Sequence, residues 1–188
     1  FLGNYASVAA TSGVAGETAG AQAWLTSNVS RGATGANGGF AAGVVAAATN
    51  GTQRASTEAL LKTVHTSTWS NGGDATMAIA SMTQKQTMAG FAGLAQQRRE
   101  TGNKLATIVA GAEVYVGDAG QLVFVADRFA DARSILLVDP TMWEIATLDP
   151  MKRKELAQTG LSDRTALYTE VALKCLNEAA SGVIADLT

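Results

Sequence analysis

The stretch LYTEVALKCLNEAASGVIADL, residues 167–187, decides how this chain is read. It alternates like a strand, yet it is long, largely apolar on both faces, and carries charges spaced through it. A ribbon of that kind does not finish a pocket; it reads as something laid against a neighbour. Working back from it, MKRKELAQTG (151–160) reads as a polar, charged connection. WEIATL (143–148) is a strand stopped by Pro150, and ILLVD (135–139) is a buried strand that stops at Pro140. EVYVGDAGQLVFV (113–125) is a hairpin with Asp118-Ala119-Gly120 near its turn.

Further back, STEALLKTVHTSTWSNGG (56–73) has the marks of a helix: a cap at Ser56, apolar positions at Leu60, Leu61, Val64 and Trp69, and a Gly72-Gly73 stop. Glu58 and Lys62 supply an i,i+4 pair on its outer face. ATMAIA (75–80) is a short buried strand. Thr83 with Gln86 forms a capping box that starts a second helix running through Met88, Phe91 and Leu94 toward Gln97. Helix, strand and helix in succession predict an α+β fold, a sheet covered by helices. The first 55 residues differ: they hold 10 of the 20 glycines, and their only charges are Glu17, Arg31 and Arg54. GATGANGG within them reads as a flexible loop, and the glycine-rich segment Gly32 to Gly51 as the least protected part of the chain, with first proteolytic nicks expected near Arg31 or Arg54. FLGNYASVAA, at the start, reads as the tail of an element already under way, and so as a processed protein or a fragment.

The composition narrows the function classes. Hydrophobic residues make up 47% of the 188, enough for a real core, so a disordered polymer is excluded. A formal net charge of -2 with mixed signs argues against a protein that grips nucleic acid through a basic face. One cysteine, Cys175, permits no intramolecular disulfide and fits a reducing compartment. The apolar run AAGVVAAA is too short to span a bilayer, and no signal peptide is evident.

GVAGETAG (13–20) lacks the Lys-Ser/Thr pair that a phosphate loop needs. His65 is the sole histidine, which rules out a histidine-rich metal site; beside Leu61 and Trp69 it reads as packed or half-exposed. A Cys175–His65 dyad would need an accessible, electropositive thiol, whereas Cys175 alternating with Leu173 and Val171 reads as core. Asp127 and Asp131, four apart, would share one helical face as paired carboxylates, but Arg128 and Arg133 beside them favour a solvated, salt-bridged turn. Arg98, Arg99 and Glu100 form a charged helix end and Lys152, Arg153 and Lys154 a basic triplet. Both are read as solvated groups or as contacts between subunits. No catalytic, metal or cofactor-binding residue stands out.

Five stretches, AWLTSNVSRG (23–32), TQRASTEALLKTVHTSTWSNGG (52–73), VYVGDAGQLVFVADRF (114–129), LLVDPTMWEIATLDPMKRKELAQTG (136–160) and the ribbon with Asn177-Glu178, stand in the order of one family. The chain resembles the major capsid (head) proteins of tailed double-stranded-DNA bacteriophages and prophages. The resemblance implies the tailed-phage major capsid fold (HK97-like), here without the N-terminal arm, the protruding loop and most of the spine helix. It places the end of the spine-helix region and the glycine-rich loop in 1–53, an axial domain in 54–135 and returning peripheral-domain strands in 136–188. The ribbon would then run beside the spine helix and reach toward neighbouring subunits. It further implies a non-enzymatic structural protein of an icosahedral shell, without cofactor, metal, membrane or small-molecule substrate. Its partners would be copies of itself, in hexamers and pentamers, and packaged DNA held weakly and nonspecifically. Such a protein is made in the bacterial host cytoplasm and ends in the virion head. The alternatives are an encapsulin-type shell around an enzyme, a small binding module, and a hydrolase using Cys175 or Asp127/Asp131. Shell formation separates the first two shell readings from the others, and neighbouring terminase and portal genes separate phage from encapsulin.

Overall fold

Three consecutive large apolar residues, Ile135, Leu136 and Leu137, have side chains that point alternately to opposite faces, and all are buried. Only a strand covered on both sides accommodates that, and this one lies third in a six-stranded sheet. The computed structural model describes residues 2–91 and 114–188. The sheet contains β1 (Val29–Ser30), β4 (Met77–Ala80), β5 (Val114–Gly117), β6 (Gly120–Ala126), β7 (Ile135–Val138) and β10 (Gly182–Ile184). They lie in the order β1-β10-β7-β4-β6-β5, with β1/β10 and β4/β6 parallel and the other pairs antiparallel. The sheet therefore draws strands from all three of the spans 1–53, 54–135 and 136–188.

One face of the sheet carries Ala78, Ala80, Tyr115, Leu122, Phe124, Ile135, Leu137 and Ile184. Helices α2 (Glu58–Ser70) and α3 (Met82–Ala89) cover it, contributing Leu61, Val64 and Met88. Burying each large side chain contributes about 1.5–3 kcal/mol, so this layer is the main source of stability. Gly182 lets α2 approach: a Cβ there would lie 2.6 Å from a Val64 methyl and 3.0 Å from the Asn28 carbonyl. On the opposite face Leu136, Val183 and Ala185 pack with Leu25 and, less deeply, Leu2, Val138 and Trp143. A short helix α1 (Ala21–Trp24) and a small hairpin of β2 (Gly39–Ala41) and β3 (Val44–Ala46) bury Ala23 and Val45 together.

Several expectations hold. The helix in 56–73 forms, with its Glu58–Lys62 pair at 2.9 Å; the strands at 77–80 and 135–138 form, and so does the hairpin at 114–126. Others need correction. The N-cap of α2 is Thr57, not Ser56, and Trp69 is 63% exposed because it falls off the Leu61–Val64–Thr68 stripe. The second helix is capped by Ser81, whose hydroxyl accepts from the Gln84 N–H, not by Thr83. Its expected course past residue 91 lies outside the described residues. Residues 2–10 hold no helix, and Val8 bridges back to Glu17.

The glycine-rich segment is tied down. Ala36 and Thr49 exchange backbone hydrogen bonds, and the Asp186 carboxylate accepts from Gly32 and Gly51 N–H groups at 3.0 and 2.8 Å. The largest correction concerns 151–160, which is strand and not connection. β8 (Trp143–Thr159) runs on through Pro150 and pairs with β9 (Ser162–Cys175) in a long antiparallel hairpin. Register shifts around Asp149 absorb the proline, which has no N–H to give a ladder. The ribbon 167–187 is thus two elements: the second arm of this hairpin, and then, after a turn at Glu178–Ala180, the buried strand β10. Lys152, Arg153, Lys154 and Arg164 lie exposed on the hairpin, whereas Arg31 and Arg54 are half-buried. Among the described residues, trypsin is therefore expected to cut first within 152–164. Mass spectrometry of the earliest fragments checks this, and earlier cuts at Arg31 or Arg54 would contradict it.

Candidate functional site

The β8–β9 hairpin stands out from the body as an arm. Residues opposite one another across the ladder share a face. One face carries Ile145 and Thr147 opposite Leu173 and Val171, and farther out Arg153 opposite Leu167. The other carries Glu144 opposite Lys174, joined at 3.0 Å, then Asp149, Lys152 and Lys154 opposite Glu170, Tyr168 and Ala166. The arm is thus apolar on one face near its base and charged on the other, with Leu148 and Met151 exposed at the register shifts. Of the basic triplet, Lys152 pairs with Asp149, Arg153 lies 3.9 Å from Glu155, and Lys154 is exposed. Arg98, Arg99 and Glu100 lie outside the described residues. At the tip a two-residue turn reverses the chain; Gly160 takes φ +76°, which a side chain resists, and Leu161 projects with its whole surface in solvent.

At the base of the arm is a pocket of about 420 Å³. Trp24 and Phe40 stack in its wall, with ring centroids 5.7 Å apart and planes within 12°. Cys175, Leu176 and Glu178 also line it, with Gly38, Gly39 and Thr26 among the rest. Glu178 fastens this corner to the loop after α1. Its carboxylate accepts from the N–H groups of Thr26 and Ser27, at 2.9 and 3.1 Å, and from the Ser27 hydroxyl. Burial pushes the Glu178 carboxyl up, but those donors together pull it below its ordinary value, so it stays anionic. A depressed acid contributes stability that is present above its unfolded value and lost as pH falls through its folded value. Stability should accordingly decline on acidification below about pH 4.5, the ordinary value. Glu178→Gln should cost about 1–2 kcal/mol at neutral pH and remove that part of the acid dependence; denaturant melts at pH 7 and pH 3.5 test both. An unchanged acid dependence in the variant would count against the role given to Glu178.

The groups weighed as catalytic do not assemble. Burial first and Glu178 second push the Cys175 thiol up to about 11, the reverse of an activated nucleophile. Cys175 is half-buried, and Val171, expected beside it in the core, is exposed. His65 is buried on α2, where burial lowers its pKa against a backbone hydrogen bond to Ala75, so it is a packed histidine. Asp127 and Asp131 sit in a turn, not on a helical face. Each accepts from a backbone N–H two residues on, Phe129 and Arg133 respectively, as turn-forming aspartates do. Arg133 pairs with Asp186 at 3.2 Å. Among the described residues no group of three or more His, Cys, Asp or Glu could hold a metal. No helix among them is long and apolar enough to cross a membrane.

An exposed, two-faced arm and a pocket without chemistry suit association better than turnover, and the family comparison bears on this directly. The model of the SU10 major capsid protein family matches residues 1–188. The chain belongs to that family. No match was found among curated proteins. The resemblance to phage major capsid proteins is thereby established over the whole length, and the role that goes with it is structural, in the shell of a virion head. A capsid protein associates with copies of itself, so exposed apolar surface is to be sought as contact area. The mixed, sheet-dominated α+β architecture is compatible with a capsid fold. Sequence reasoning missed the arm's true extent and the pocket. The pocket draws on residues 24–46 and 175–178, and no local pattern joins those two spans.

Proposed function

We propose that this chain is a subunit of the icosahedral head of a tailed double-stranded-DNA bacteriophage or prophage, with an HK97-like fold, arranged in hexamers and pentamers around packaged DNA. The family match over residues 1–188 carries this reading. The arm supports it, because among the described residues its two faces are exposed, and surface of that kind suits a contact that covers it. In this reading the span 54–135 is the heart of the axial domain, completed by β7 and β10. The β8–β9 arm is the part of 136–188 that belongs to the peripheral domain, with 1–53 alongside. Lys152, Arg153 and Lys154, together with Arg98, Arg99 and Glu100, are candidate subunit contacts. The protein is made in the host cytoplasm and works by assembly alone, without enzymatic activity, cofactor, small-molecule substrate or membrane. Contacts with DNA are weak and nonspecific, since a net charge of -2 leaves little counterion release to drive them. Electron microscopy of the protein expressed alone tests the reading. Closed particles of uniform size are expected; a protein that stays monomeric at high concentration would sink it, and sub-micromolar duplex binding at physiological salt would refute the weak DNA contact.

A further inference from the structure

β9 turns one edge to β8 and the other to solvent. The Leu176 N–H donates across to the Met142 carbonyl at 2.9 Å, on the β8 side. The Leu173 N–H, three residues earlier, donates the other way, to the Thr18 hydroxyl at 2.9 Å. Backbone groups alternate along a strand, so the odd residues of 163–171 turn their N–H and C=O groups outward. Among the described residues no strand pairs with that edge, and 163–171 are exposed but for half-buried Ala166. A lone two-stranded ribbon is only marginally stable, and a bare edge is a template for a further strand. The outer edge of β8 is guarded. Pro150 has no N–H, and each register shift puts its extra residue on β8, at 147–149, 149–152 and 156–159. Between 162 and 175 β9 has neither device, so the open edge is that of β9.

The sequence of that edge complements itself when reversed. With Leu167 as centre, Leu167 meets Leu167 of a second copy, Ala166 meets Tyr168, Thr165 meets Thr169, Arg164 meets Glu170 and Asp163 meets Val171. Odd residues then oppose odd ones, as the outward backbone groups require, and opposed side chains share a face. Leucine packs on leucine, tyrosine over alanine and threonine beside threonine, all favourable cross-strand neighbours. Among the described residues Arg164 and Glu170 have no ion-pair partner in their own chain. Moving the centre to Thr165 sets Asp163 against Leu167. Moving it to Thr169 shortens the ladder, because Thr18 occupies the edge at Leu173. We propose that β9 of one copy pairs antiparallel with β9 of a second copy over residues 163–171, about a twofold axis at Leu167. The two arms then form one four-stranded sheet. Acidic and basic residues are equal in number over 143–175, so two arms meet without net repulsion. The contact is isologous and closes at two. It is shorter than the roughly 20–30 residues a side of a stable interface, so it joins subunits alongside other shell contacts.

The inference rests on the shell reading for its second copy, and the test separates the two. Leu167→Cys, in a Cys175→Ser background, is assembled into particles and oxidised. A disulfide-linked dimer is expected, since opposed residues of a hydrogen-bonded pair have Cα atoms about 5.5 Å apart, within disulfide reach. In the same background Thr165→Cys and Thr169→Cys should link when co-assembled, and neither should link when assembled alone. Adding Leu167→Pro to both should cut the mixed link about tenfold and leave the unfolding midpoint in place, because the Leu167 N–H points away from β8. No dimer from Leu167→Cys in closed particles overturns the inference and leaves the shell reading standing. So does equal linkage from Thr165→Cys alone, or a mixed link that survives Leu167→Pro. Failure of the unsubstituted protein to close into particles overturns the reading on which the inference rests.

Discussion

Asp186→Ala should lower the folding stability by about 3–5 kcal/mol, the range for removing one partner of a buried charged network. The Asp186 side chain has no exposed surface, and each oxygen is used. One accepts from the Gly32 N–H at 3.0 Å; the other accepts from the Gly51 N–H at 2.8 Å and from the Arg133 guanidinium at 3.2 Å. The Arg133 guanidinium also donates to the Gly51 carbonyl at 2.9 Å, so one carboxylate clamps both ends of the glycine-rich segment to the C-terminal strand. Its backbone helps as well, since the Asp186 carbonyl accepts from the Arg54 N–H at 2.7 Å. Alanine would leave two backbone donors and a guanidinium without their acceptor, and it would keep a residue at φ +60° that aspartate tolerates better. Asp186→Gly should therefore lose somewhat less than Asp186→Ala. Chemical denaturation at constant m-value measures both. A loss below about 1 kcal/mol would show that water reaching the partly exposed Arg133 replaces the network.

That clamp explains why the glycine-rich segment misled a reading of the sequence alone. Its composition is that of a loop, and the residues ordering it lie about 135 to 154 positions away, where no local pattern reports them. The elements that were legible are those whose signal is local. β7 shows itself in three apolar residues in a row, the β5–β6 hairpin in its Asp-Ala-Gly turn, and α2 in its Leu61–Val64 spacing and Gly72 stop. The arm was half legible for the opposite reason. A strand is recognised by having one face buried, but residues 151–157 are exposed throughout, so KRKE on β8 looked like a connection and Pro150 like a terminus. β9 and β10 then ran together as one ribbon because both alternate, although one is mostly in solvent and the other wholly buried. Cys175 falls at the junction between those two environments, which is why it was placed in the core and is only half-buried.

Removing the outer arm should separate folding from assembly. Deleting residues 148–170 and joining Thr147 to Val171 through Asn-Gly keeps the ladder pairs Trp143↔Cys175, Ile145↔Leu173 and Thr147↔Val171. A two-residue Asn-Gly turn matches the right-handed twist of such a hairpin. None of the deleted side chains belongs to the apolar clusters on either face of the sheet or around α1. Leu148, Met151, Leu161 and Leu167 are each at least 69% exposed, so they withdraw little surface from water within the chain. The truncated protein should consequently unfold at the same denaturant concentration as the intact one, within about 0.5 kcal/mol. Nothing among the described residues covers those leucines and the methionine, and a shell contact that gains their burial loses it when they are removed. Shell formation should therefore be abolished, as measured by light scattering and electron microscopy under conditions where the protein without the deletion closes into particles. Particles in normal yield from the truncated protein would show that the arm is not a contact between subunits. A marked fall in the unfolding midpoint would show instead that the arm supports its own fold.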